Sequence, residues 1–171
     1  MTILTCIGSR KTPSQILTEM IKIGSFCKEH EIIVRSGHAE GADWAFEKGA
    51  QQLCIAYIPW ESFNREWKSQ AKKVCIDMDD KVRDIVKRYH PAPDKLSSGA
   101  WKLMTRTCYQ VLGPFLDDPS NAIICWTADG LENGGTSQAL RIARAYNIPI
   151  FNMFHEKHST AEKIIELLGV F

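Results

Sequence analysis

IIVRSGHAEGADWAFEKGA, residues 32–50, decides how the rest of the chain is read. Ile32, Ile33 and Val34 form the short apolar run that a strand buried on both faces requires. It runs into Ser36-Gly37-His38-Ala39-Glu40-Gly41-Ala42-Asp43, a loop of small residues. Ala42, Ala45, Phe46 and Ala50 (or Gly49) then recur at the spacing of one helix face. A strand, a tight turn and an amphipathic helix make the repeating unit of a parallel α/β sheet.

The same unit recurs on both sides. Upstream, Ile3-Leu4-Thr5-Cys6-Ile7 is a buried strand stopped by Gly8. Thr12-Pro13-Ser14-Gln15 reads as a helix start, with Thr12 as cap and Gln15 completing a capping box. Ile16, Met20, Ile23 and Cys27 carry that helix to about Lys28. Downstream, residues 53–60 (LCIAYIPW) give a third strand, stopped by Pro59. The rhythm breaks over residues 61–113, which read as helices at about 63–73, 77–89 and 97–111. This stretch holds eleven Lys/Arg against seven Asp/Glu, so it is locally basic. The rhythm returns with a fourth strand at Ala122–Thr127, a loop at 128–135 and a helix from Thr136 to Tyr146. A fifth strand follows at Ile148–Phe151. Ser159 or Thr160 caps a last helix through Leu168.

Composition narrows the function classes. The 171 residues suit a single domain over residues 1–171. A chain of this length buries enough surface to need no disulfide or metal. Lys+Arg 21 against Asp+Glu 20 leaves a net charge of +1, so any contact with nucleic acid must be local. The six cysteines form no CxxC pair and are read as reduced thiols in a cytoplasmic protein. No signal peptide is read at the N-terminus, and no apolar run approaches the ~18 residues of a membrane span. The five histidines do not pair with cysteines at ligand spacing, and no metal site or resident cofactor is expected.

Three loops at strand ends share a chemistry. They are Gly8-Ser9-Arg10, the segment from Ser36 to Asp43, and Gly134-Gly135-Thr136. Each sets glycine and hydroxyl beside a helix start. Glycine lets a phosphate approach the backbone, and helix-end N–H groups then point at the anion. Arg10 adds a cation suited to a phosphate oxygen. Ligands of open parallel sheets bind beyond the strands' carboxyl ends, where all three loops fall.

GSR after the first strand, SGHAEGAD after the second and GGT opening a later helix resemble the SLOG superfamily. This group of Rossmann-like nucleotide-binding proteins includes the DprA/Smf DNA-processing proteins, YpsA-like proteins, molybdenum-cofactor carriers and LOG-type phosphoribohydrolases. SGHAEGAD is similar to the SGGAxGAD pattern, with His38 in place of a glycine. ENGGTSQALRIARAYNIPIF, residues 132–151, is similar to the GGT–helix–strand unit. The HPAP and WKLMTRTCYQVLG segments resemble those of small virus-encoded DprA-like members.

The resemblance implies a Rossmann-like three-layer α/β fold. Its parallel sheet would have about five strands in order 3-2-1-4-5, with a helical insertion at 61–113 between strands three and four. It implies phosphate loops at Gly8, Ser9 and Arg10; at Ser36, Gly37, Gly41 and Ala42, with Asp43 as brace or ribose contact; and at Gly134, Gly135 and Thr136, beside Thr127. Trp60 and Asn64, at the entry to the insertion, are expected to contact the base or ribose.

One departure bears on activity. LOG-type hydrolases carry PGGxGTxxE, and their catalytic glutamate aligns with Ala139. Asn133 replaces the motif's proline. Glu132 or Glu40 could substitute from another loop, though nothing in the sequence requires it. The expected function is binding of a nucleotide or nucleotide-derived ligand, to sense or sequester it, by a homo-oligomer. The alternatives are a LOG-type hydrolase and a DprA-like binder of single-stranded DNA.

Overall fold

The computed structural model describes residues 1–131 and 134–169; Glu132 and Asn133, named above, lie outside the described residues. Six parallel strands form one sheet: β1 (Ile3–Cys6), β2 (Ile33–Ser36), β3 (Cys54–Ile58), β4 (Lys72–Cys75), β5 (Ala122–Cys125) and β6 (Ile150–Asn152). They lie in the order β4-β3-β2-β1-β5-β6. The helices are α1 (Ser14–Glu29), α2 (Ala42–Ala50), α3 (Asp80–Tyr89), α4 (Ser98–Leu112), α5 (Ser137–Ala145) and α6 (Ala161–Leu168).

Alternation along the strands sorts two cores. Leu4 of β1 and Ala122 and Ile124 of β5 face one side, with Met20 and Ile23 of α1, Phe46 of α2 and Ile164 of α6. Ile123 and Cys125 of β5 and Tyr57 of β3 face the other, with Val82 of α3, Cys108 and Leu112 of α4 and Ile142 of α5. Helices therefore cover both faces, the three-layer arrangement that lets a parallel sheet bury both sides.

The expected order 3-2-1-4-5 is corrected by a sixth strand. Residues 63–73 are not helical: turns fill 61–66, and Lys72–Cys75 pairs in parallel with β3 at the sheet edge. Lys72 and Lys73 are exposed there while Val74 packs into the second core. Lysines on an edge strand discourage pairing with another chain, and they also disguise the strand in the sequence. The 61–113 stretch is thus not purely helical.

The capping box at Thr12 does not form. Pro13 occupies the N-cap of α1, and the Thr12 hydroxyl donates instead to the Ser9 carbonyl at 2.7 Å. Elsewhere capping follows the residue types. Asp79 accepts from Val82 N–H at 2.9 Å, Ser97 from Ala100 N–H at 3.2 Å and Thr160 from Lys163 N–H at 3.4 Å.

α1 and α2 meet backbone to backbone. A Cβ on Gly24 would lie 2.6 Å from the Phe46 carbonyl oxygen, and one on Gly49 would meet the Ile21 carbonyl oxygen. The closeness of this pair fixes how α2 leaves the β2 loop, and so where Asp43 points.

Candidate functional site

β1 and β5 are neighbours, but the chain leaves them in opposite directions across the sheet, toward β2 and toward β6. The helices that follow depart to opposite faces and leave a crevice beyond the strand ends. A cavity of about 550 Å³ occupies it. Its walls are Ile7–Lys11 after β1, Ala39 and Asp43 at the start of α2, and Leu103, Met104, Arg106, Thr107 and Gln110 of α4. Thr127–Asp129 and Gly134–Thr136, which flank the β5–α5 loop, complete them.

The first loop is a tight turn. Ser9 N–H donates to the Trp126 carbonyl at 3.2 Å, and the Ser9 hydroxyl oxygen accepts from Lys11 N–H at 3.0 Å. Arg10 is left exposed on the cavity wall. Gly8 allows α2 to approach, because a Cβ there would lie 2.8 Å from the Ala42 Cβ.

The glycines of the second loop serve packing. Gly41, at φ +88°, lies where a Cβ would come 2.8 Å from both the Arg10 Cα and the Ser9 carbonyl oxygen. Above Gly37, the point where a side chain would begin is 2.6 Å from Gln110 Nε2, 2.8 Å from Asp43 Oδ2 and 2.9 Å from Arg106 Cζ. Ser36 and Ala42 are fully buried. Of this loop only Ala39 and Asp43 line the cavity.

His38, the departure from the resemblance pattern, has φ +57° and is fully buried. Its Nδ1 lies 2.9 Å from Glu47 Oε2, which also accepts from the Ser69 hydroxyl at 2.9 Å. Asn64 Nδ2 donates to the His38 carbonyl at 3.0 Å, so Asn64 ties the turn before β4 to this loop. Trp60 packs edge-on to Phe63 with centroids 5.1 Å apart. Neither Trp60 nor Asn64 lines the cavity.

The third loop is open. Among the described residues, apart from each glycine's own chain neighbours, no atom lies within 4 Å of a Cβ built on Gly134 or Gly135. Thr136 sits at the N-cap of α5, whose positive end faces the cavity. Thr127 is held by Asn152, whose Nδ2 donates to the threonine hydroxyl at 2.8 Å. Ala139 is fully buried in the second core, and Glu40 is exposed and off the cavity wall.

Gly135→Val is therefore expected to leave the melting temperature nearly unchanged, and, if a phosphate group binds at the start of α5, to weaken that binding at least about tenfold, roughly one lost hydrogen bond's worth. Thermal denaturation and calorimetry on the same preparation check both halves. An unchanged affinity would take Gly135 out of any ligand contact.

The α4 wall is the part that the strand-end motifs do not announce. Arg106 Nη1 donates to the Gly37 carbonyl at 2.9 Å, and its guanidinium lies 5.7 Å from the Phe63 ring centre. Arg106 Nε and Gln110 Nε2 are buried polar atoms with no hydrogen-bond partner among the described residues. The signal was present in WKLMTRTCYQ. Leu103, Arg106, Thr107 and Gln110 fall at i, i+3, i+4 and i+7, which sets an arginine and a glutamine on one face of an otherwise packed helix.

Asp43 is almost fully buried, and burial raises its carboxyl to about 6, from 3.8. The Arg106 charge works against that rise, as do hydrogen bonds from the Ala39 and Gly8 N–H groups, while Glu47 adds to it. A carboxyl raised on folding contributes stability that is full below pH ~4 and is lost as pH climbs through about 6. Asp43→Asn should flatten that loss, which is on the order of 2–3 kcal/mol. Urea denaturation of both proteins at pH 4, 5, 6 and 7 measures it. Parallel pH profiles would show that Asp43 does not titrate in this range.

No protein-family model matches the chain, and no curated protein matches it. Solved structures do. DNA processing protein A from Helicobacter pylori, which binds single-stranded DNA, superposes with a TM-score of 0.62 at 15% identity, over 98% of this chain and 72% of that one. The Moco carrier protein of Chlamydomonas rheinhardtii gives 0.50 at 12% identity, over 88% and 74%. The molybdenum cofactor binding protein of Rippkaea orientalis gives 0.49 at 15% identity, over 99% and 96%. At these identities the likeness is one of fold. Among the described residues, no helix is long and apolar enough to cross a membrane.

Proposed function

We propose that the chain binds a nucleotide or nucleotide-derived molecule in the cavity between β1 and β5, and acts by sensing or sequestering it. One observation carries the reading. At the sheet's switch point, two glycines at the start of α5 that no other described residue crowds face the cavity that Arg10, Lys11 and Arg106 also line. Backbone N–H groups at a helix start with convergent cations suit a phosphate. Leu103, Met104 and Ile7 supply an apolar wall for a ring, and Gln110 and Thr107 supply polar groups beside it.

In this reading Ser9, Arg10, Gly134, Gly135 and Thr136 hold phosphate. Asp43 braces the first two loops from beneath, through the Gly8 and Ala39 N–H groups. Gly8, Gly37, Gly41, Ser36 and Ala42 act by shaping the site rather than by touching the ligand. The superposed proteins supply two ligand classes to test, single-stranded DNA and a molybdenum cofactor. The near-neutral charge of this chain favours a small molecule over a long polyanion.

Arg10→Ala tests the reading. The exposed Arg10 contributes little to the core, so stability should hold. Affinity for a nucleoside monophosphate should fall by about 1.5–3 kcal/mol, the range for a charge-assisted hydrogen bond. Equal affinities by calorimetry would remove Arg10 from the site.

A further inference from the structure

Gln110 of α4 lines the cavity between β1 and β5 with an amide that the fold leaves unsatisfied. The residue is only 1% exposed, and its Nε2 has no hydrogen-bond partner among the described residues. Thr107, beside it on the wall, already donates its hydroxyl to the Leu103 carbonyl at 3.0 Å. The Gln110 backbone is pinned to β1. The Thr5 hydroxyl donates to its carbonyl at 2.7 Å and lies 2.7 Å from the Ser120 hydroxyl. The amide is thus held at a fixed place with a donor unused.

Arg106, one helical turn earlier on the same face, adds a second unused donor in its Nε. Both side chains meet Asp43 above Gly37. The point where a Cβ of Gly37 would lie is 2.6 Å from Gln110 Nε2, 2.9 Å from Arg106 Cζ and 2.8 Å from Asp43 Oδ2. A buried donor without a partner is destabilising, so two together mark a place that something else completes. Charge narrows what that is. The Asp43 carboxyl, raised to about 6, is mostly ionised at pH 7 and repels an anion from this corner. Its oxygens accept from the Ala39 and Gly8 N–H groups and still have lone pairs to offer. The complement is a neutral group with an acceptor for the two donors and an N–H for the carboxylate.

We propose that this corner reads the edge of a nucleotide's base, with Gln110 as the specificity-determining residue, and that it selects oxo bases over amino bases. The inference rests on the reading that the cavity holds a nucleotide, and it adds which kind. Guanine, hypoxanthine and uracil set a carbonyl beside a ring N–H. The carbonyl oxygen has two lone pairs and takes both donors, while the N–H faces Asp43. Adenine and cytosine set an amino group beside a bare ring nitrogen, whose single lone pair leaves one donor unpaired. The Gln110 amide turns about a soft terminal torsion, so Nε2 reaches an acceptor on a ring lying along Leu103 and Met104.

The experiment is calorimetry at pH 7 with the monophosphates of guanosine, inosine, uridine, adenosine and cytidine. Wild type should bind the first three at least about tenfold more tightly than the last two. Gln110→Met keeps the length of the side chain and removes the amide. It should lower the affinity for guanosine monophosphate, leave that for adenosine monophosphate in place and so erase most of the preference. Its melting temperature should hold or rise, because the amide it removes has no partner. Arg10→Ala should weaken all five alike and preserve the preference. Arg10-dependent binding without a preference for oxo bases in wild type would overturn the inference and leave the nucleotide reading standing, as would a preference that survives Gln110→Met. The wild-type comparison decides even where the variant fails to fold. Absence of binding by all five would overturn both.

Discussion

Gly49→Ala is expected to destabilise the folded chain by about 3 kcal/mol, the upper end of ordinary overpacking costs. Helix propensity alone predicts the opposite sign, since alanine in a helix interior is favoured over glycine by about 1 kcal/mol. The structure decides between them. A Cβ at Gly49 would meet the Ile21 carbonyl oxygen and would lie 2.7 Å from Ser25 N and 2.8 Å from the Gly24 Cα. All three are backbone atoms, so no rotamer change can relieve the contact. Helix α1 would have to move off α2 and open the core around Phe46 and Met20. Gly99→Ala in α4 is the control, because among the described residues nothing outside its own helix turn and chain neighbours lies within 4 Å of a Cβ there. Urea denaturation should show a loss at 49 and a small gain at 99. A gain at both would mean that α1 and α2 do not pack this closely.

Arg106→Met should be the most damaging single change at the site. Methionine keeps much of the packing of the side-chain stem and removes the charge and the donors. The Gly37 carbonyl then loses the 2.9 Å hydrogen bond, and Asp43 loses the positive charge that most opposes its desolvation. Breaking such a buried arrangement costs about 3–5 kcal/mol when one partner stays charged. The loss at pH 7 should therefore be large. It should shrink at pH 5, where the Asp43 carboxyl takes up a proton, and shrink again in the Arg106→Met/Asp43→Asn double variant. Nucleotide affinity should fall with it, and the double variant should recover stability without recovering binding. Recovery of both would assign Arg106 to the scaffold alone.

The parts of the fold that were legible in the sequence are those in which local and global signals agree. β1 and β5 are continuous apolar runs because both faces of a central strand are covered. Their boundaries and the helices after them could be read from that pattern alone. β4 could not. Lys72-Lys73-Val74-Cys75 has one side at an edge, and its lysines read as a solvated helix face. The cap of α1 misled for a related reason: the Thr12 hydroxyl has a better acceptor in the Ser9 carbonyl, which only the folded loop brings near.

At the candidate site the glycine loops were legible, but their division of labour was not. The sequence cannot distinguish a glycine that leaves the cavity wall open, such as Gly135, from one that admits Arg10 or Arg106. Gly37 and Gly41 are of the second kind. Arg106 was readable in principle as an arginine on a packed helical face. Its meaning depends on α4 crossing over the β2 loop, which is a tertiary fact. Trp60 reads as a base platform because it is an aromatic at a strand end, yet its ring packs edge-on to Phe63 and does not line the cavity.

The central claim is that the cavity between β1 and β5 holds a phosphate-bearing nucleotide. Native mass spectrometry of freshly purified protein, before and after adding a panel of nucleotides, tests it most directly. The account predicts a mass excess equal to one nucleotide or nucleotide derivative on the wild-type chain, lost in Arg10→Ala and in Gly135→Val while both variants remain folded. A wild-type spectrum showing only the bare chain at every nucleotide concentration, or an excess that persists undiminished in both variants, would contradict it.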